Sequence, residues 1–207
     1  MKNTFLLLLV TFSFLGIGSC SKDNPVVEDP LARLPPETQT GANTFGCIIN
    51  NQVFFPRDCY SSVLNPGQKG VIFWGDPSGN REFNEIEIGN CVTGLPASDM
   101  MIHLQGLHQQ QLGDYILQES NFQSSINGLM QNYVYARIYD SASRSYKYYS
   151  SYQNSGKVTI TFYASNNTIV SGNFSGKLRL YNGTDEIEIK SGRFDFNKVT
   201  IDTTPFP

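Results

Sequence analysis

The chain has 207 residues, with 15 Lys and Arg against 18 Asp and Glu, a formal net charge of −3 and only 16 % charged residues. Its isoelectric point is near 5.3. A balance this sparse and slightly acidic offers no basic stripe to a phosphate backbone, which excludes nucleic acid as a partner.

The first element is a leader. Met1-Lys2-Asn3 carries one positive side chain, and the run TFLLLLVTFSFLGIG follows without a charge. The run is shorter than the about 20 apolar residues a membrane-spanning helix needs and has the form of a secretory signal, so residues 1–19 read as a signal peptide. It ends in Ile17-Gly18-Ser19-Cys20, which resembles a bacterial lipobox. That resemblance implies that Cys20 is lipidated and becomes the first mature residue, anchored by two or three acyl chains where one would hold only marginally. SKDNPVVEDPLARLPPETQTGAN comes next, with four prolines and no aromatic residue. It lacks the apolar surface to fold, and residues 20–43 read as a flexible tether stiffened by proline. Asp23, Glu28 and Asp29 resemble the acidic marks of surface-displayed lipoproteins. The expected location is the outer membrane, lipid-anchored and exposed at the cell surface.

From Thr44 to about Thr200 the chain alternates apolar and polar residues with period two, and no long segment has helical period. TFGCIINNQVFFP reads as a hairpin turning at Asn50-Asn51, residues that tolerate the positive φ of a type I′ turn. QKGVIFWG and REFNEIEIG are strands on either side of a turn at DPSGN, followed by MMIHLQG and DYILQE around the loop LHQQQLG. Pro96 and Asp99 permit one helical turn before Met100. Further on, Val158, Ile160 and Phe162 share an inward face opposite Thr159, Thr161 and Tyr163. IVSGNFSGKLRLYN and EIEIKSGRFDFN then pair with Leu178, Leu180, Ile187 and Ile189 inward, and Ser191-Gly192 breaks the alternation as a bulge does. The expected fold is all-β: an antiparallel β-sandwich or strongly curved sheet of about ten strands over residues 44–200. With Cys20 lipidated, three thiols remain. Cys47 sits mid-strand as a buried residue, whereas Cys59 and Cys91 lie in turn-like stretches and form the candidate disulfide of an exported protein.

LPPETQTGANTFGCIINNQVFFP, residues 34–56, resembles the opening of a family of Bacteroidota envelope lipoproteins that begin with an LPPxTxxGxNTFGC stretch and a two-residue turn. LGDYIL and VSGNFSGKLRL…IEIKSGRFDF are similar to that family's G-x-Y-x-L and F-x-G…I-x-x-G-x-F strands. Asn51 stands where the family's turn has Gly. The resemblance implies an outer-membrane lipoprotein with a β domain and transfers no functional residues, because the family carries no established activity.

Catalytic motifs are missing: there is no GxSxG, HExxH or P-loop. CxxC is absent, and the two histidines, His103 and His108, do not make a zinc site; neither metal nor cofactor is expected. Glu85 and Glu87 share a strand face about 7 Å apart, the spacing of a carboxylate pair, yet any solvated strand supplies such pairs. The aromatic feature is QNYVYARIYDSASRSYKYYSSYQ, which holds seven of the chain's eleven tyrosines. Alternation puts Tyr133, Tyr135, Arg137 and Tyr139 on one side of the first strand and Val134, Ala136 and Ile138 on the other. If Tyr139 opposes Tyr146, then Arg137 opposes Tyr148, Tyr135 opposes Ser150 and Tyr133 opposes Tyr152, so six tyrosines and an arginine tile one face. That face either stacks a ligand such as a glycan or only steadies its own hairpin through cross-strand pairs. The expected function is a non-enzymatic envelope binding or accessory module, with capture of carbohydrate or another envelope protein through the tyrosine hairpin as the alternative. An envelope hydrolase is the remaining one.

Overall fold

Alternation of the kind just described commits these segments to strands, and eleven form among the described residues: β1 (Thr44–Ile49), β2 (Gln52–Phe54), β3 (Val71–Asp76), β4 (Phe83–Asn90), β5 (Ser98–Gln105), β6 (Gly113–Ile116), β7 (Tyr133–Asp140), β8 (Ser145–Ser150), β9 (Gly156–Tyr163), β10 (Ile169–Leu180) and β11 (Glu186–Asn197). The computed structural model describes residues 29–59, 67–76 and 82–207. The expected signal peptide, Cys20, the tether up to Glu28 and the turn at residues 77–81 lie outside the described residues.

The strands build one antiparallel sheet in the order β2-β1-β11-β10-β8-β7-β5-β4-β3, with β9 on the same edge of β10 as β8 and with β6 beyond β9. The sheet curls on itself. Phe73 on β3 meets Phe196 on β11 with ring centroids 6.2 Å apart, so elements far apart in the order face each other across a single core. Ile86, Ile102, Val134, Ala136, Leu178 and Phe196 are fully buried there. The curl is closed by the chain after β2: Arg57 N–H donates to Gly89 C=O at 2.8 Å and Asp58 N–H to Phe206 C=O at 2.8 Å, and Cys59 and Cys91 form a disulfide next to these contacts. Cys47 is a free, buried thiol, pushed well up by desolvation.

The Asn50-Asn51 turn has both residues left-handed, at φ 47° and 66°. Ser191, at φ 51°, is an extra residue of β11 opposite both neighbours: Gly46 pairs with Arg193 but Ile48 with Lys190, and Phe174 pairs with Gly192 but Gly176 with Ile189. A second bulge lies at Thr161, since Ser171 pairs with Phe162 and Gly172 with Ile160. It reverses the faces expected after Ile160. Tyr163 is buried at 8 % exposure, and Phe162 is only half-buried.

Three further expectations are corrected. The tether does not run to Asn43, because the chain is fastened to the domain well before it. Leu34 is buried, and the Asp195 carboxylate accepts hydrogen bonds from the Thr38 hydroxyl at 2.6 Å, Thr40 N–H at 3.0 Å, Gly41 N–H at 2.8 Å and Ala42 N–H at 3.1 Å, with the Ser171 hydroxyl at 2.8 Å. The domain also extends past Thr200: Ile201 and Phe206 are buried in it. The helical turn forms at Leu107–Gln110, not before Met100, where β5 has already begun at Ser98.

Register explains the outline of the sheet. Ser150 and Tyr149 of β8 pair with Arg179 and Leu180, and Gly156 to Tyr163 of β9 pair with Gly176 to Val170. β8 and β9 are therefore two halves of one broken strand laid along β10. β6 and β7 are likewise two halves, laid along β9 and β8 and separated by an excursion of residues 117–132. Backbones close in at the break, where a Cβ on Gly156 would stand 2.3 Å from Ser175 O. Ser151 knits the break together. Its N–H donates to Val134 C=O at 2.8 Å, its hydroxyl accepts from Val134 N–H at 3.0 Å, and the same hydroxyl donates to Gln118 C=O at 2.6 Å.

Ser151→Ala leaves the Val134 N–H and Gln118 C=O without these partners in a site 2 % exposed, and is expected to cost about 1–3 kcal/mol in a denaturant titration. A change below about 0.5 kcal/mol would place the substitution among ordinary surface changes and show that the hydroxyl is dispensable. Asp195 gives a pH prediction. Burial alone would raise its carboxyl, but Thr38, Ala42, Ser171 and Gly41 together hold it down to about 2. A depressed carboxylate stabilises fully above its unfolded value and loses that contribution as pH falls, so about 2 kcal/mol disappears between about pH 4 and pH 2. Asp195→Asn should be less stable than wild type at neutral pH and show a flatter stability profile across that window. An unchanged profile would mean that the carboxylate is not what holds the strap.

Candidate functional site

Cross-strand partners share a sheet face, so the pairings define rows on the outer side of the curl. One row runs Trp74–Glu85–His103–Tyr133. The next runs Glu87–Met101–Tyr135–Ser150–Arg179–Glu186. A third runs Asp99–Arg137–Tyr148. The tyrosine hairpin has the register read from its sequence as far as Tyr135–Ser150, with Val134 and Ala136 in the core. Beyond Ser150 the strands part, and Tyr152 does not oppose Tyr133. It lies instead under Arg179, whose guanidinium carbon is 4.2 Å from the Tyr152 ring centroid.

The excursion of residues 117–132 folds over the first row. Gln118 N–H donates to Asn132 C=O at 2.8 Å and closes its neck. Ser125 N–H donates to Glu85 Oε1 at 2.7 Å, and the Tyr133 hydroxyl donates to Gln123 C=O at 2.9 Å. Glu85, His103 and Tyr133 are consequently buried, at 0, 1 and 0 % exposure. His103 Nδ1 is 2.8 Å from Glu85 Oε1, and its ring lies between Phe83 and Tyr133, with centroids at 5.5 and 4.4 Å. This corrects two expectations. Tyr133 faces away from the core but is covered and unavailable as a ligand platform. Glu85 and Glu87 are not an open carboxylate pair on a solvated strand: Glu85 is sealed beneath the excursion, and Glu87 accepts from Trp74 Nε1–H at 2.9 Å.

Open surface begins at the margin of the excursion. A cleft of about 330 Å³ lies over the second and third rows, walled by Phe122 and Ser124 and floored by Met101, Tyr135, Arg137 and Tyr148. Tyr148 is 45 % exposed. Arg137 Nε–H donates to Asp99 Oδ2 at 2.8 Å, and the guanidinium carbon stands 4.6 Å from the Tyr146 ring centroid. Burial lifts the Asp99 carboxyl above its usual range, with Arg137 opposing the shift. Burial, with Glu85, Glu87 and Asp99 adding to it, pushes the Tyr135 phenol up to about 12, so this hydroxyl is a donor at any physiological pH. Tyr139 and Tyr146 pack edge to face at 5.5 Å and stand outside the cleft lining.

A second cleft, of about 630 Å³, lies on the other side of Phe122, among Tyr152, Arg179, Tyr181 and residues 119–121 of the excursion. The sequence reading missed Phe122, Asp99, Arg179 and Tyr181. Asp99 and Arg179 were visible as outward positions of alternating strands. Phe122 is the one aromatic residue among residues 117–132. Among the described residues no group of three or more His, Cys, Asp and Glu is placed to hold a metal ion. His108 lies away from the clefts, with Nδ1 2.5 Å from the Tyr163 hydroxyl; burial and then Lys198 lower its pKa while Glu82 opposes them. No helix among the described residues is long and apolar enough to cross a membrane. Comparison with protein-family models, curated proteins and solved structures found no match.

The two kinds of tyrosine should separate in mutants. Tyr133→Ala removes a fully buried ring and is expected to cost about 3–5 kcal/mol, as buried aromatic truncations do. Tyr148→Ala should stay within about 0.5 kcal/mol of wild type. Denaturation midpoints of the two variants check this, and equal losses would mean that the tyrosines serve only to hold their sheet.

Proposed function

We propose that the protein is a lipid-anchored, non-enzymatic binding module of the bacterial outer membrane, tethered through Cys20 and taking its ligand in the cleft over Tyr135, Arg137 and Tyr148. The anchor rests on the lipobox-like Ile17-Gly18-Ser19-Cys20 and on the resemblance of residues 34–56 to Bacteroidota envelope lipoproteins. One observation carries the binding reading: an exposed tyrosine ring lies across from an arginine–carboxylate pair in an open cleft. Exposed aromatic surface beside convergent polar groups is what a small-ligand site needs. The depth of the Glu85–His103 pair under the excursion favours a structural duty for these groups, which otherwise have the chemistry of a general base.

The reading has two tests on the full-length protein. Cys20→Ala should abolish incorporation of labelled palmitate and release the protein from the outer-membrane fraction; a variant that stays there after carbonate washing would overturn the anchor. A thermal-shift screen of saccharides, short peptides and lipid headgroups should yield a compound that stabilises wild type and not Tyr148→Ala. A ligand at a hundred times its dissociation constant stabilises by about 2.7 kcal/mol, well within reach of the measurement. If every hit shifts both proteins equally, the cleft is not the site.

A further inference from the structure

The two clefts flanking Phe122 repeat one arrangement. In the first, Arg137 is paired with Asp99 across β5 and β7 and lies over the Tyr146 ring, next to the exposed ring of Tyr148. In the second, Arg179 is paired with Glu186 across β10 and β11, with N to O at 3.3 Å, and lies over the Tyr152 ring, next to Tyr181 at 61 % exposure. The exposed tyrosines are neighbours, since Tyr181 N–H donates to Tyr148 C=O at 2.7 Å. Phe122 borders both clefts, with its ring 5.9 Å from Tyr135 and 5.4 Å from Tyr181. Its backbone is left-handed at φ 58°, a conformation that a bulky residue adopts only when its surroundings impose it. Phe122 N–H is held by the Ser120 hydroxyl and Gln123 N–H by Asn121 Oδ1. The excursion thus spends backbone strain on setting one aromatic ring between two alike pockets.

We infer that the two clefts are successive subsites for a single uncharged oligosaccharide, one sugar ring on Tyr148 and another on Tyr181, with Phe122 between them; this rests on the binding reading above. The ligand class follows from the chemistry present. Each exposed surface is a flat ring with a polar tip, which accepts the apolar face of a pyranose and bonds its hydroxyls. Beside each ring, a carboxylate that accepts and a guanidinium that donates are fixed next to one another, and neighbouring hydroxyls of a sugar satisfy both at once. Because Arg137 and Asp99 already neutralise each other, a charged ligand gains no counter-ion in the first cleft without breaking that pair. Glu87 and Glu119, which also border the clefts, repel an acidic chain.

The test uses the full-length lipoprotein, extracted in a detergent without a sugar headgroup, on an array of neutral and acidic oligosaccharides of increasing chain length. Neutral chains should be retained and monosaccharides not. Tyr148→Ala and Tyr181→Ala should each weaken retention about tenfold, the scale of one lost aromatic contact. Tyr148→Phe and Tyr181→Phe, which keep the rings, should lose much less, and circular dichroism should be unchanged throughout. If Tyr148→Ala weakens binding and Tyr181→Ala does not, the second subsite is overturned and the binding module stands. A preference for acidic chains overturns the ligand class, as does a Tyr148-dependent thermal shift from a peptide with no glycan retained. If no glycan is retained and no compound in the thermal screen depends on Tyr148, both readings fall.

Discussion

The outer face of this protein depends on a single hydroxyl. Where β6 gives way to β7 and β8 to β9, the antiparallel ladder is interrupted in the middle of the sheet, the worst place to leave backbone groups unpaired. Ser151 Oγ repairs the break by accepting from Val134 N–H and donating to Gln118 C=O at once. A strand can then be opened there without exposing or orphaning its polar groups. Only because the break is mended can residues 117–132 leave the sheet and return to it, with the neck shut by Gln118 and Asn132. Gly156 has its role at the same point, since any side chain would strike the carbonyl of Ser175.

Once the excursion leaves the sheet it needs something to stand on, and the first outer row provides it. Burying a carboxylate is expensive unless it is paired and hydrogen-bonded. Glu85 has His103 and the Ser125 N–H on one oxygen, while the other oxygen has no hydrogen-bond partner among the described residues. The arrangement is therefore directional. Its attraction is concentrated on the oxygen that holds the excursion, and the ring stack of Phe83, His103 and Tyr133 keeps water from competing. Removing one partner of such a group costs more than the pair itself contributes. The row thus fixes where Phe122 stands, which in turn sets the partition between the two clefts.

The fold was legible wherever its cause was local. Two asparagines in succession announce a left-handed turn, Ser191-Gly192 interrupts an otherwise regular alternation, and the tyrosine hairpin has one register that pairs its apolar stripe. What could not be read is what tertiary contacts decide. The bulge at Thr161 sits in a run of perfect alternation, KVTITFY, and what accompanies it is a contact with the neighbouring strand, where Ser171 C=O accepts from the Thr161 hydroxyl at 3.3 Å. Tyr133 and Tyr135 are equivalent by period; only the excursion makes one a buried pillar and the other a cleft wall. Asp195 looks like any polar residue between two inward phenylalanines, and nothing local shows that a strap from the other end of the chain supplies its donors.

That strap links the anchor to the binding face. Under the proposed lipidation of Cys20, the chain that carries the anchor is fastened to the domain from Leu34, which is buried, and not only from Asn43. The donors gathered on Asp195 sit where the strap joins the sheet. A flexible tether would leave the domain to tumble freely. A strap pinned to β11 instead gives the curl a defined attachment point, on a strand that β10 separates from the tyrosine hairpin. The strand order therefore sets the attachment apart from the first cleft, and ligand can approach that cleft without displacing the chain that carries the anchor.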